Sequence, residues 1–180
     1  MTETIDPDIT MRALLGQYPG AQRALFRKYH IGGCASCGFQ PTETLAGVCA
    51  RNENIPVEEA IEQILTGHEQ EQAMMISPSE LAEKREHDPA LKLIDIRTRE
   101  EFEAVKIEGA SLFTQELMQE ALLKWDRTRP VVIVDHQGAR SIDAASYFAG
   151  HEFKNVKALR GGIDAWSLEV DPDMPRYHLE

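Results

Sequence analysis

Residues 131–141 read VVIVDHQGARS, and this stretch decides the fold of the C-terminal half. Val131, Val132, Ile133 and Val134 are consecutive β-branched residues with no polar alternation, the pattern of a strand buried on both faces of a parallel sheet. The chain then passes through Asp135, His136, Gln137, Gly138, Ala139 and Arg140 into a helix opening at Ser141. A strand–loop–helix turn of this kind points successive backbone N–H groups and a helix N-terminus into one concavity, which makes an anion cradle. Arg140 is expected to reinforce that cradle and Ser141 to cap the helix. Because parallel sheets bind ligands outside the carboxyl ends of their strands, this loop is the first candidate site.

The same grammar extends on either side. Residues 91–96, LKLIDI, read as a second short strand, and Ser77-Pro78-Ser79-Glu80 opens a helix. Further helical stretches are expected over 98–105, 115–124 and 141–149. Strands alternating with helices give an α/β fold, a parallel sheet flanked by helices.

The first third is written differently. Asp8 or Thr10 can cap a helix carrying Met11, Leu14 and Leu15, and Pro19 stops it and starts another that ends at Tyr29. Thr42 opens a third helix with Leu45, Val48 and Cys49. Pro56 opens a fourth, with Val57, Ala60, Ile61, Ile64 and Leu65 at three- and four-residue spacing. The stretch TGHEQEQA that follows is polar, without anchor spacing, and reads as a linker. The expected organisation is a small all-α domain over 1–66, a linker over 67–75 and the α/β domain over 76–180.

The three cysteines, Cys34, Cys37 and Cys49, all lie in the helical segment. An odd count in a reducing compartment argues against a disulfide framework. Cys34 and Cys37 share a loop with Gly32, Gly33 and Gly38, which lets backbone approach the sulfurs closely. A Cys-x-x-Cys pair commonly has one thiol of depressed pKa, so redox, persulfide and metal chemistry are all open to it. A metal or cluster site would draw on Cys34, Cys37, Cys49 and His30. Against that set, Cys49 reads as a small buried residue on a helix face and His30 as a helix C-terminal residue.

Composition narrows the function classes. The 180 residues carry 19 Lys+Arg against 30 Asp+Glu, a formal net charge of -11. Such a surface lacks the basic patch that nucleic acid requires and the polybasic segment that an anionic membrane requires. No apolar run approaches the roughly 20 residues of a membrane span. The opening MTETIDPDITM has no basic or apolar signal region, so the expected compartment is a bacterial-type cytoplasm. Nothing in the sequence calls for a cofactor.

On three ordered motifs the C-terminal domain resembles the rhodanese family of sulfurtransferases. These are LIDIRTREEFEAVKIEGA over 93–110, DHQGARS over 135–141 and LRGGIDAW over 159–166. The resemblance implies the rhodanese-like fold and an active loop of the form Cys-x-x-Gly-x-Arg-Ser, matched here at Gly138, Arg140 and Ser141. The position of its persulfide-forming cysteine is Asp135, and no cysteine follows Cys49 to take its place. Lys106 stands where the family often has histidine. A carboxylate cannot hold a transferable sulfane sulfur, which needs a thiolate. Three readings of Asp135 stand: a degenerate site that has lost its nucleophile, a built-in anion that fills the cradle, or a carboxylate nucleophile for phosphoryl transfer. His136 reads as a loop or solvent-bridging residue, Asp95 and Arg97 as a structural pair, and Trp166 as core. The helical segment resembles the redox-disulfide domain associated with hybrid-cluster proteins. That likeness rests on the Pro19 helix pair, the His-Ile-Gly-Gly-Cys-x-x-Cys-Gly loop and Glu43-Thr44-Leu45.

Three functions compete. The first is a binding or regulatory module in sulfur metabolism that recognises a small anion or a sulfur-donor or -acceptor protein, with Cys34 and Cys37 as a redox dithiol. The second is a sulfurtransferase or persulfide carrier that accepts sulfur on Cys34 or Cys37. The third is a metal-binding helical module that forms a homodimer through its exposed face.

Overall fold

The computed structural model describes residues 4–32 and 38–177. The chain divides into two compact units, Met1–Ala73 and Met74–Glu180.

The first unit contains α1 (Met11–Gln17), α2 (Ala21–Tyr29), α3 (Leu45–Arg51) and α4 (Val57–Ala73). Thr10 caps α1 by accepting the Ala13 N–H, and Thr44, rather than Thr42, caps α3 by accepting the Gly47 N–H. The two capping residues meet in an antiparallel bridge. Met11, Leu14, Leu25, Leu45, Val48 and Ile64 form the core, which Cys49 joins at 1% exposure. His30 ends α2 in a left-handed conformation, φ 58°, and donates its N–H to the Phe26 carbonyl.

The expected linker is corrected by this unit. Residues 67–73 are the last two turns of α4, and 75–76 already form a strand. Their anchors lie far back in the chain. Arg23 makes a two-pronged ion pair with Glu71 at 2.8 and 3.0 Å, and the Tyr18 and His68 rings meet edge-on at 5.1 Å. A Cβ on Gly20 would lie 2.1 Å from the Glu71 carboxylate, so the glycine makes room for the pair. Polarity here reflects a helix end held by side-chain pairing rather than a free segment.

The second unit is α/β. Its elements are β1 (Met75–Ile76), α5 (Pro78–His87), β2 (Lys92–Asp95), α6 (Arg99–Ala104), β3 (Ser111–Leu112), α7 (Gln115–Lys124), β4 (Val131–Val134), α8 (Ser141–Gly150), β5 (Val156–Leu159) and α9 (Gly162–Glu169). All strands pair in parallel in the order β1-β5-β4-β2-β3. Full capping boxes start α5 (Ser77 with Glu80) and α6 (Thr98 with Glu101), each satisfying two of the N–H groups a helix start leaves open. Central strand β4 is buried at every residue, and the helices cover two apolar layers. One is built around Ile133, Ala145 and Phe148, the other around Val132, Leu159, Ile163 and Trp166. Trp166 is thus core, as expected. Among the described residues, no helix is long and apolar enough to cross a membrane.

Candidate functional site: the loop after the central strand

Strand β4 delivers Asp135 to the carboxyl edge of the sheet, where it is only 2% exposed. Gly138 adopts φ 89°, a left-handed turn that brings the loop back over the carboxylate. The Gly138 N–H donates to Oδ1 at 2.5 Å, while the N–H groups of Arg140 and Ser141 donate to Oδ2 at 2.7 and 3.3 Å. The backbone N–H groups of the loop thus cradle both oxygens of its own Asp135.

The loop is held from behind by the turn between β5 and α9. A Cβ on Gly138 would stand 2.7 Å from the Gly161 nitrogen, and one on Gly162 would stand 2.5 Å from the His136 carbonyl oxygen. Only glycines allow this approach. It lets Ile163 and Asp164 donate their N–H groups to the carbonyls of Asp135 and His136, at 2.9 and 3.1 Å. The Gly-Gly pair of LRGGIDAW thus fixes the loop backbone through main-chain bonds.

Two expectations about the loop need correction. Ser141 does not cap α8: it is the first helical residue, fully buried, and its hydroxyl has no partner among the described residues. The capping role passes to Asp135, whose carboxylate accepts the first N–H groups of the helix. Arg140 reinforces the cradle through its backbone N–H alone, and its side chain is exposed. Gln137 and Ala139 also face outward.

His136 is not a solvent bridge either. It is 7% exposed, its ring stacks on Tyr177 at 4.5 Å, and Nε2 lies 3.0 Å from the Tyr177 carbonyl oxygen. Beside it, Asp95 and Arg97 pair as expected. Arg97 donates Nε to Oδ1 at 2.9 Å and Nη2 to Oδ2 at 2.6 Å, with both side chains essentially inaccessible. Arg97 also donates to the Val105 carbonyl and the Tyr177 hydroxyl, each at 2.7 Å. Tyr177 passes its own O–H to Glu101 at 2.8 Å. Burial alone would push the Arg97 pKa down, but the bonds to Asp95 and Tyr177 leave it raised. Burial pushes the Tyr177 hydroxyl up. For Glu101, burial works upward, yet the Thr98 N–H and the Tyr177 hydroxyl outweigh it and the net shift is down.

Glu101 lies inside the motif over 93–110, which gives it no role of its own. No motif marks Tyr177, which reaches Arg97 across 80 positions. Lys106 lies over the Phe102 ring at 4.8 Å and lines a cavity of about 420 Å³ with Glu103, Asp171, Asp173 and Met174.

In the first unit, Cys34 and Cys37 lie outside the described residues. Burial pushes the Cys49 thiol pKa up, and nearby Glu58 adds to it, so Cys49 is held as a neutral thiol. Among the described residues, no cluster of three His, Cys, Asp or Glu side chains could hold a metal ion.

Comparison with known proteins returns to the second unit. The family model for the Rhodanese-like domain matches residues 77–169, just over half of the chain. The probable adenylyltransferase/sulfurtransferase MoeZ of Mycobacterium tuberculosis is 35% identical over 104 residues, 57% of this chain and 26% of that protein. This chain therefore spans about a quarter of MoeZ. The thiosulfate sulfurtransferase GlpE of Pseudomonas putida is 30% identical over 105 residues, 58% of this chain and 94% of GlpE. Among solved structures, reduced Bacillus anthracis CoADR-RHD superposes with a TM-score of 0.51 at 17% identity, over 68% of this chain and 21% of that one. At that identity the likeness concerns the fold.

Proposed function

The chain belongs to the rhodanese-like domain family, and from that premise we propose that it is a member without sulfurtransferase activity of its own, acting as a binding or regulatory module in sulfur and redox metabolism. The observation that carries this reading is the state of the loop: the two oxygens of Asp135, the residue we assign to the position of the nucleophile, take three backbone N–H bonds. Sulfane transfer from thiosulfate requires a thiolate that attacks the outer sulfur, expels sulfite and holds the sulfur as a persulfide. A carboxylate offers oxygen where sulfur must be held, and no cysteine follows Cys49 in the sequence. Phosphoryl transfer through Asp135 is disfavoured because the loop 135–141 carries no second acidic residue to share a metal ion with it.

Cys34 and Cys37 supply the redox element of this reading, as a dithiol that closes to a disulfide while Cys49 stays buried and protonated. The partner class is a sulfur donor or acceptor, either a small anion or a protein carrying a thiol.

The test is a thiosulfate:cyanide sulfurtransferase assay of the wild type beside Asp135→Cys. The wild type is expected to be silent. The variant, with three N–H groups and a helix N-terminus to stabilise a thiolate, is expected to turn over. Wild-type turnover that depends on residues 74–180 overturns the reading. Intact mass after thiosulfate treatment addresses the alternative of a persulfide carrier: a gain of about 32 Da on Cys34 or Cys37 moves the sulfur chemistry to the first unit.

A further inference from the structure

The carboxyl edge of a parallel sheet is where ligands bind, and in this unit part of that edge is already occupied by the chain itself. After α9 the backbone turns at Asp171–Met174, with the Asp171 N–H donating to the Trp166 carbonyl and the Met174 N–H to the Asp171 carbonyl. Pro175, Arg176 and Tyr177 then run back across the ends of β2 and β4.

Four separate places hold this segment. Arg176 pairs with Asp164 of α9 through two bonds, at 2.8 and 3.1 Å. The Tyr177 ring stacks on His136 of the loop, and its carbonyl oxygen lies 3.0 Å from Nε2 of the same residue. The Tyr177 hydroxyl sits between Arg97, which follows β2, and Glu101 of α6. The space left between His136, Ile163, Asp164 and Tyr177 is too small for a water molecule. These contacts tie the segment to four elements at the ligand edge of the sheet.

We propose that residues 175–177 are a strap that closes the His136 side of the Asp135 loop, so that a partner or anion reaches this side only after the strap lifts. Most of the strap is surface chain. Pro175 and Arg176 are exposed and Tyr177 is half-buried, so release breaks a few side-chain bonds and leaves the sheet intact. Local opening of this kind lies at the low end of a protein's stability range. The inference goes beyond the proposed function and holds whether or not the loop ever handled sulfur.

His136 itself is the reporter. Diethyl pyrocarbonate acylates accessible imidazoles, and peptide mapping of the full-length protein reads each histidine separately. His87, exposed on α5, is the internal reference. In the wild type, His136 is expected to react at least about tenfold more slowly than His87, in keeping with protection by a locally closed segment. Tyr177→Ala, which removes the stacked ring and the hydroxyl, is expected to erase most of that difference while the His87 rate stays fixed. Tyr177→Phe keeps the ring but loses the Arg97 and Glu101 bonds, and Arg176→Gln loses only the exposed pair; both are expected to give intermediate rates. Wild-type His136 reacting as fast as His87 overturns the strap, and so does an unchanged His136 rate in Tyr177→Ala. Should Tyr177→Ala unfold the domain, an unchanged rate in both milder variants overturns it.

Discussion

Replacing Asp135 by asparagine keeps the shape of the side chain and removes the charge. The wild-type carboxylate accepts from Gly138 on one oxygen and from Arg140 and Ser141 on the other, and it is 2% exposed. Asparagine has one carbonyl oxygen. Its better orientation turns that oxygen toward Arg140 and Ser141, and the amide NH2 then faces the Gly138 N–H, donor against donor. A hydrogen bond to a charged group contributes about 1.5–3 kcal/mol, and a buried donor left without a partner costs about 1–3 kcal/mol. Losing one such bond and weakening two others should lower stability by about 2–4 kcal/mol. For a unit of this size each kcal/mol moves the midpoint by about 4–8 °C, so a fall of roughly 10–30 °C is expected. Both tryptophans, Trp125 and Trp166, lie in the second unit, so fluorescence melting of the full chain reports on that unit alone. A companion variant, Asp135→Ala, empties the cradle. Millimolar thiosulfate should raise its midpoint through binding to the folded state, at ionic strength matched with chloride, and should leave the wild type unmoved. If Asp135→Asn melts at or above the wild type, the carboxylate is a strained occupant. The idea of a loop completed by its own anion is then wrong.

Other expectations follow from the same contacts. Asp95→Ala strands the Arg97 guanidinium in a buried site, and removal of one partner from such a pair costs about 3–5 kcal/mol; urea unfolding should show a comparable loss, and a change under 1 kcal/mol would contradict the geometry. Glu101 is depressed when folded, so its contribution is present above the ordinary glutamate pKa of about 4.3 and disappears as pH falls through the lower folded value. Glu101→Gln should therefore flatten the stability profile of the second unit on the acid side of the ordinary glutamate pKa, and an unchanged slope there would remove Glu101 from the network. Thiol counting under mild oxidant should find Cys34 and Cys37 consumed together and Cys49 intact. Equal consumption of all three would show that burial does not protect Cys49.

The parts of the fold that could be read in advance are those whose physics is local. Val131 to Val134 announced a strand buried on both faces because apolar β-branched residues in a row leave no solvent side. Ser77 and Glu80 announced a helix start because a capping box is closed within four residues. Strand β5 was missed, since Lys157 sits inside Val156–Leu159 and interrupts the apolar run. Strands β1 and β3 have two residues each, too few for any period. The tail of α4 was misread as a linker for a different reason. Its holding partners, Tyr18 and Arg23, precede it by 50 and 48 positions, and no local window contains both halves of such a pair. Tyr177 escaped notice on the same grounds.

The loop shows that a cradle of backbone N–H groups can be completed by a carboxylate of its own chain. Three N–H groups converging at the start of α8 must be satisfied once they are buried, whatever the loop does for a living cell. A thiolate meets that need and so does a carboxylate, because both are anions at the positive end of a helix. Gly138 and Gly162 are required by the close approach of two backbones, which is indifferent to the atom that fills the cradle. The pattern Gly-x-Arg-Ser followed by a Gly-Gly turn therefore marks a folded anion cradle, and only the residue at position 135 says which chemistry the cradle can perform. The folding role of that residue and its reactive role are separable. Asp135 fills the first, and the sulfurtransferase assay of Asp135→Cys asks whether a single sulfur atom supplies the second.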